Sequence, residues 1–274
     1  MAQEFCFPAL CHSCSGRSPC VLGDFCIGAA MLMNGHQRVQ YANGDAYEGT
    51  FTKGLRNGAG TYFAASNDRY EGEFMDDHMH GEGTYYFPDA EVYSGQWSRD
   101  TRHGQGSMTY SDGATYEGQW EKNKRHGKGT QVFADGRRYV GHWADDLKVG
   151  QGTMTYVEGG TSVYSGEWAN GVRHGTGQMK YADGSVFDGD WVDDVPNGSG
   201  KWYNAAEQST YTGSIVKGRK EGEGTCVYAS GAEYVGQWVN DRKHGEGEMK
   251  AADGILERVG YRHDCMVMRE AISA

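Results

Sequence analysis

The stretch YEGQWEKNKRHGKGT, residues 116–130, carries the residue types of a phosphate cradle: glycines, lysines, a threonine and a run of cations. A P-loop needs G-x-x-x-x-G-K-[ST] between a strand and a helix, so that backbone N–H groups can wrap the phosphates. Here Lys122 stands at the first glycine place, Gly129 at the Ser/Thr place, and no helical pattern follows Thr130. Three other sets of residues could do chemistry. The first is Cys6, Cys11, Cys14, Cys20 and Cys26, crowded into the head of the chain. Cys11-x-x-Cys14 with Cys6, Cys20 or His12 is half of a zinc pattern, but no second C-x-x-C accompanies it. The same thiols are candidates for acylation, although Ala2 follows Met1 where N-myristoylation requires glycine. A docking arm without either modification is the third reading.

The second set is His80, His103, His126, His174 and His244, which recur at one place of a longer pattern. Residues one hairpin apart stand about 9–10 Å apart, whereas Zn–N bonds are about 2.0–2.1 Å. Shared metal ligation is therefore disfavoured against packing near a turn. The third set is the residue just before the histidine place: Arg56, Arg102, Arg125, Lys148, Arg173, Lys220 and Lys243, with Met79 and Pro196 as exceptions. On a regular array these form a row along one edge, suited to an anionic partner: phospholipid headgroups or the acidic tails of tubulin. Asp76-Asp77, Asp145-Asp146 and Asp193-Asp194 lie in the same loops and blunt that row. No catalytic constellation emerges, because the charged residues repeat with the period. His142 and His263 fall outside the histidine lane, without an evident partner. Neither a catalytic residue nor a cofactor is expected.

The whole chain explains why such sets recur. Glycine makes up 43 of 274 residues, about 16%, against roughly 7% on average. Proline contributes only 4, while 18 Tyr and 7 Trp exclude a disordered composition. A net charge of −11 argues against a nucleic-acid binder. No run of about 20 apolar residues exists to span a bilayer. Residues 21–33, VLGDFCIGAAMLM, are too short for a span and lack the basic flank of a signal peptide. With an odd count of seven cysteines, this points to reduced thiols in a cytoplasmic setting.

Self-similarity at a fixed period gives the architecture. Tyr-x-Gly-x-aromatic begins at Tyr47, Tyr70, Tyr93, Tyr116, Tyr139, Tyr164 and Tyr234, with the variants Phe187-x-Gly-x-Trp191 and Tyr211-x-Gly-x-Ile215. Eleven residues after each leading ring a Gly-x-Gly begins, from Gly58/Gly60 to Gly245/Gly247. Degenerate copies extend the array to about residues 34–262. That leaves a Cys-rich arm, 1–33, and a tail, 263–274. Within each period Tyr116, Gly118 and Trp120 share one face, as do Gly127, Gly129, Gln131 and Phe133, while the alternate residues are polar. This period-two alternation predicts half-buried antiparallel strands. Asn43-Gly44, Asp112-Gly113, Asp135-Gly136, Asp183-Gly184 and Asp253-Gly254 supply turns. Two longer periods place extra residues near 158–160 and 205–207. Glycine on an aromatic face leaves an open floor for a ring, and the rings of one repeat are expected to stack on glycines of the next.

The units YEGQWEKNKRHGKGT, YVGQWVNDRKHGEGE (234–248) and YSGEWANGVRHGTGQ (164–178) resemble the MORN (membrane occupation and recognition nexus) repeat. The resemblance covers about 229 of 274 residues. Asn57, Val149, Asn197 and Glu221 depart from it where histidine is usual, and Ile215 where tryptophan is usual; softer or re-aimed hairpins are expected there. The resemblance implies an all-β, elongated, single-layer antiparallel β-meander solenoid and a non-catalytic scaffold. Its most concrete version is a cytoskeletal component of the radial-spoke-head type in the axoneme of a cilium or flagellum, with other axonemal proteins as partners. The alternative is a membrane tether that binds anionic lipid through the basic row and an acylated arm. Exposed end strands favour homodimers through the terminal repeats.

Overall fold

The computed structural model describes residues 33–157 and 160–272. Twenty-one strands, from Gly35–Gln40 to Cys265–Ala271, form one open antiparallel sheet in which each strand pairs with its neighbours in sequence. The all-β single-layer meander is therefore the architecture. Among the described residues no helix is long and apolar enough to cross a membrane.

One repeat shows how residue types dictate the unit. Thr115–Glu121 pairs with Lys124–Val132, and Gly118 faces Gly129 across the ladder. Lys122 and Asn123 join the two strands with φ of 49° and 70°. Two positive values in a two-residue loop define the turn whose twist matches that of the strands. Beyond Gly118 the register shifts, so that Gln119 opposes His126. The first glycine of Gly-x-Gly absorbs this bulge: Gly127 has φ +55°, a conformation costly for side chains bearing a Cβ. The Gln119 Oε1 accepts the Lys128 N–H at 2.7 Å, so the backbone at the bulge is not left unpaired.

The second glycine does a different job. Gly118 and Gly129 lie back to back under the Tyr116 ring; a Cβ on Gly118 would sit 2.5 Å from the Gly129 Cα, and one on Gly129 would enter the ring. Tyr116 is fully buried, and its hydroxyl donates to the Gln119 carbonyl at 2.9 Å. The floor belongs to the ring's own hairpin, which corrects the expectation that rings rest on glycines of the next repeat. A tyrosine lies flat along its own strand pair, because that is where both side chains are missing.

Coupling between repeats comes instead from the tryptophans. Trp120 stands edge-on to Tyr116 at 5.1 Å and to Tyr93 of the preceding repeat at 5.3 Å. Its Nε1 donates to the Gly106 carbonyl at 3.2 Å. The alternation runs from Tyr47–Phe51 to Phe187–Trp191 and resumes at Tyr211–Trp238. Ile215 breaks the alternation, and Trp202 covers Phe187 there at 5.4 Å. Met108, Gln131, Met154, Met179 and Cys226 fill the same buried lane between rings. Opposite, the outward face is open and largely polar, with cross-strand pairs such as Thr153 Oγ1 to Ser165 Oγ at 2.9 Å and with Val140 and Val235 exposed on it.

The sheet also runs further than the sequence suggested. Cys265–Ala271 pairs with Leu256–Arg262, so most of the expected tail is a final strand. Its alternate residues carry no aromatic lane, which is why the period does not reveal it.

Gly129→Ala tests the floor. Filling it overpacks a site with no room to yield, which costs about 1–3 kcal/mol. The urea midpoint of the full-length chain should fall accordingly, with the slope unchanged.

Candidate partner-binding surface

The basic lane does not project from an edge. Each cation follows the two-residue turn and lies on the aromatic face, over the rings. Arg125 places its guanidinium carbon 4.3 Å from the Trp143 ring centroid and 5.8 Å from that of Tyr116. Arg102 lies 4.5 Å from Trp120, Arg173 4.5 Å from Trp191, and Arg56 5.1 Å from Phe74. Lys148, Lys220 and Lys243 bring their ammonium groups to 4.3, 4.9 and 4.5 Å from Trp168, Trp238 and Tyr261. The expectation of a free anionic-partner edge is thus corrected at the arginines: the side chains of Arg56, Arg125 and Arg173 are only 8%, 21% and 19% exposed. Desolvating a cation over an aromatic face is favourable where acceptors complete the shell.

The acceptors come from the next hairpin. Asp146 accepts the Arg125 backbone N–H at 3.0 Å and its Nε–H at 2.9 Å, and the Asp146 carbonyl accepts Nη2–H at 3.2 Å. In return the Asp146 N–H donates to the Arg125 carbonyl at 3.1 Å. Asp77 serves Arg56, and Asp194 serves Arg173, in the same way. Asn123 replaces the carboxylate for Arg102, accepting its N–H at 2.8 Å. Asp241 and Asp264 cap the N–H groups of Lys220 and Lys243, and Asp100 caps that of Met79. Asp77, Asp146 and Asp194, expected from the sequence to blunt the row, are staples from one turn to the next. Their signal was available: Arg56 and Asp77, Arg125 and Asp146, Arg173 and Asp194 are each 21 residues apart.

The neighbouring lane does a related job. Where histidine is replaced, Asn57 accepts the Asp76 N–H at 3.2 Å, Asn197 that of Lys217 at 3.0 Å, and Glu221 that of Asn240 at 2.9 Å. These three hairpins carry alternative staples. His126 Nε2 lies 3.6 Å from Glu121, and His174 Nδ1 3.6 Å from Asp193. The buried Nδ1 atoms of His80 and His244 have no hydrogen-bond partner. Among the described residues no three His, Cys, Asp or Glu side chains converge on one point. Cys6, Cys11, Cys14, Cys20 and Cys26 lie outside the described residues, while Cys226 is buried in the ring lane and Cys265 is exposed.

Burial dominates the acid–base chemistry. It pushes the phenols of Tyr47, Tyr164, Tyr211 and Tyr234 up to about 12. It also pushes Lys148 down to about 8. These groups are locked in packing and do not face one another across a reaction site. Accessible features among the described residues include the outward strand face and a groove of about 920 Å³ lined by Asp135, Arg137, Tyr156, Val157, Ser162 and Met179.

Asp146→Ala removes one staple. It leaves Arg125 half-buried with fewer acceptors and should cost about 1–3 kcal/mol, read as a lower thermal midpoint. Amide exchange should rise first at the 122–125 and 145–148 turns.

The MORN-repeat profile matches at residues 47–69, 70–90, 93–115, 116–137, 139–161, 164–186, 187–205, 211–233 and 234–255. No curated protein matches the chain. Among solved structures, the TCP10 domain of Danio rerio CPAP, in complex with a peptide of Danio rerio STIL, is 12% identical. It covers 88% of this chain and 97% of its own, with a TM-score of 0.36. The Drosophila melanogaster SAS-4 (dCPAP) TCP domain, in complex with a proline-rich motif of Ana2, is 13% identical. It covers 58% of this chain and 85% of its own, with a TM-score of 0.35. The nine matched stretches fall on the nine hairpins whose tyrosine or phenylalanine lies over a glycine pair, and the chain belongs to the MORN-repeat family.

Proposed function

We propose that the protein is a non-catalytic scaffold that organises a cytoskeletal assembly, most concretely as a radial-spoke-head-type component of the axoneme. One observation carries this reading: a single sheet of strands from Gly35–Gln40 to Cys265–Ala271 repeats similar side chains through the nine matched hairpins. Such a periodic surface suits partners held at fixed intervals, and its recurrent polar residues are consumed as staples between turns. Ring burial makes the framework stiff, as a spacer requires, since aromatic pairs add about 0.5–1.5 kcal/mol each beyond their area. The step from MORN array to axoneme is analogy from the family, because a fold does not fix a function.

A tether to anionic lipid would draw on the same cations, but the guanidinium groups of Arg56, Arg125 and Arg173 are already held by Asp77, Asp146 and Asp194. The test is localisation of the tagged full-length chain in its own cell, with detergent extraction before fixation. Retention on a cilium, flagellum or other microtubule structure is the expected result, and it should survive deletion of residues 1–33. Complete release from a membrane pool by detergent would overturn the scaffold and favour the tether.

A further inference from the structure

Beside the staples runs a row of side chains that they do not use. The two residues flanking each two-residue turn point to the outward face, because their neighbours, such as Trp143 and Lys148 or Trp191 and Pro196, lie on the aromatic face. From the hairpin of Tyr139 onward these flanking places are apolar. Ala144 pairs with Leu147, Ala169 with Val172 and Val192 with Val195, and Val216 follows at the next turn. Leu147, Val192, Val195 and Val216 are each 40–46% exposed. Leu147 leans toward the following hairpin, its Cδ2 3.9 Å from where a Cβ on Gly171 would stand. In the two preceding hairpins the same places hold Ser98 and Thr101, then Glu121 and Lys124. Single apolar side chains on a surface are ordinary, but here four consecutive hairpins set theirs in one line, which marks an interaction surface.

Acidic side chains follow both margins of the row. On the turn side stand Asp145 and Asp193, both largely exposed. On the strand side, one step inward on the same face, stand Glu167, Asp190 and Glu223, with His142 at that place in the first of the four hairpins. The cations nearby are Lys124, 3.2 Å from Asp145, His174, 3.6 Å from Asp193, and Lys217 and Arg219 at the far end. These margins select the occupant. A second copy would set carboxylate against carboxylate, and an anionic bilayer would be repelled in the same way. The chain's own residues 1–32 hold Arg17 as their only lysine or arginine. What fits is an apolar face flanked by cations. The spacing selects its form: hairpins recur at about 9–10 Å, and one heptad of α-helix advances about 10.5 Å. Four hairpins span about 30 Å, the length of about 20 helical residues.

We propose that the row from Ala144 to Val216 is a docking surface for a basic amphipathic α-helix of a partner protein. The helix lies across the strands along the array, sets one apolar layer against each hairpin and brings its lysines or arginines to Asp145, Glu167, Asp190, Asp193 and Glu223. The proposal rests on the scaffold reading for its place in the cell, whereas its test reads binding in solution, so either can fail without the other.

The test is fluorescence anisotropy of the full-length chain at physiological salt with a fluorescein-labelled helical peptide of three heptads, Leu at a and d, Lys at e and g and Ala elsewhere. Its Glu-for-Lys counterpart is run beside it. Saturable binding of the basic peptide alone is expected. Val195→Lys and Leu147→Lys, on different hairpins, should each weaken it roughly tenfold or more, since each sets a charge where an apolar side chain would be covered. Val140→Lys and Val235→Lys make the same change of charge at exposed valines of the outward face away from the row, and should alter binding less than threefold. All four positions are exposed, so the urea midpoints should stay close to that of the parent chain. The proposal is overturned if no saturable binding occurs or if the acidic peptide binds as well. It is equally overturned if all four variants weaken binding alike, which would reduce the effect to net charge. Self-association abolished by Val195→Lys would assign the row to a second copy and overturn it too.

Discussion

A sheet one layer thick has no second layer against which to bury its apolar side chains, so the rings must be buried against the sheet's own backbone. Tyr116 achieves this by lying on Gly118 and Gly129, which face each other across the hairpin. Large rings remove about 150–250 Å² each from water, and one ring per hairpin compensates for a strand pair that is marginal alone. The geometry also fixes the composition. Two glycines must meet under each ring and a third must absorb the bulge, and these three account for much of the glycine in the chain.

Because each ring serves its own hairpin, propagation along the array requires separate devices, and there are two. Tryptophan reaches back one repeat, edge-on to the previous tyrosine and hydrogen-bonded to a glycine carbonyl. At the turns, an aspartate reaches back to a cation and to its backbone. Contacts restricted to neighbours make stability approximately a sum over repeats and interfaces. Variation is then tolerated locally: Trp202 covers Phe187 where Ile215 replaces the usual tryptophan, and Asn57 or Glu221 replaces a histidine by accepting the next turn's N–H. The turns after Arg102, Lys148 and Pro196 offer Asn123, Gly171 and Gly218 in place of the aspartate.

Much of this was legible in the sequence, for physical reasons. Tyr-x-Gly-x-Trp alternates with period two, so face assignment followed directly, and Tyr116, Gly118 and Trp120 do share the buried face. What the sequence did not disclose depends on which hairpin a side chain visits. Alternation tells a residue's face, not whether Tyr116 rests on its own glycines or on the neighbour's. It placed Arg125 after a turn, but the choice between pointing into solvent and folding over Trp143 depends on Asp146, one repeat away. The strand Cys265–Ala271 was missed because it carries no aromatic signature; besides the backbone ladder, Arg269 Nε pairs with Glu257 at 2.8 Å.

The central claim is that rings on glycine floors hold each hairpin while tryptophans and turn staples transmit that order to the neighbours. Native-state hydrogen exchange on the full-length chain carrying Tyr116→Ala tests it most directly. The account predicts the greatest loss of protection within residues 116–137, with a smaller loss in both 93–115 and 139–161, whose rings Trp120 and Trp143 contact. Loss confined to 116–137 would contradict the transmission between repeats, and unchanged protection there would contradict the role of the ring itself.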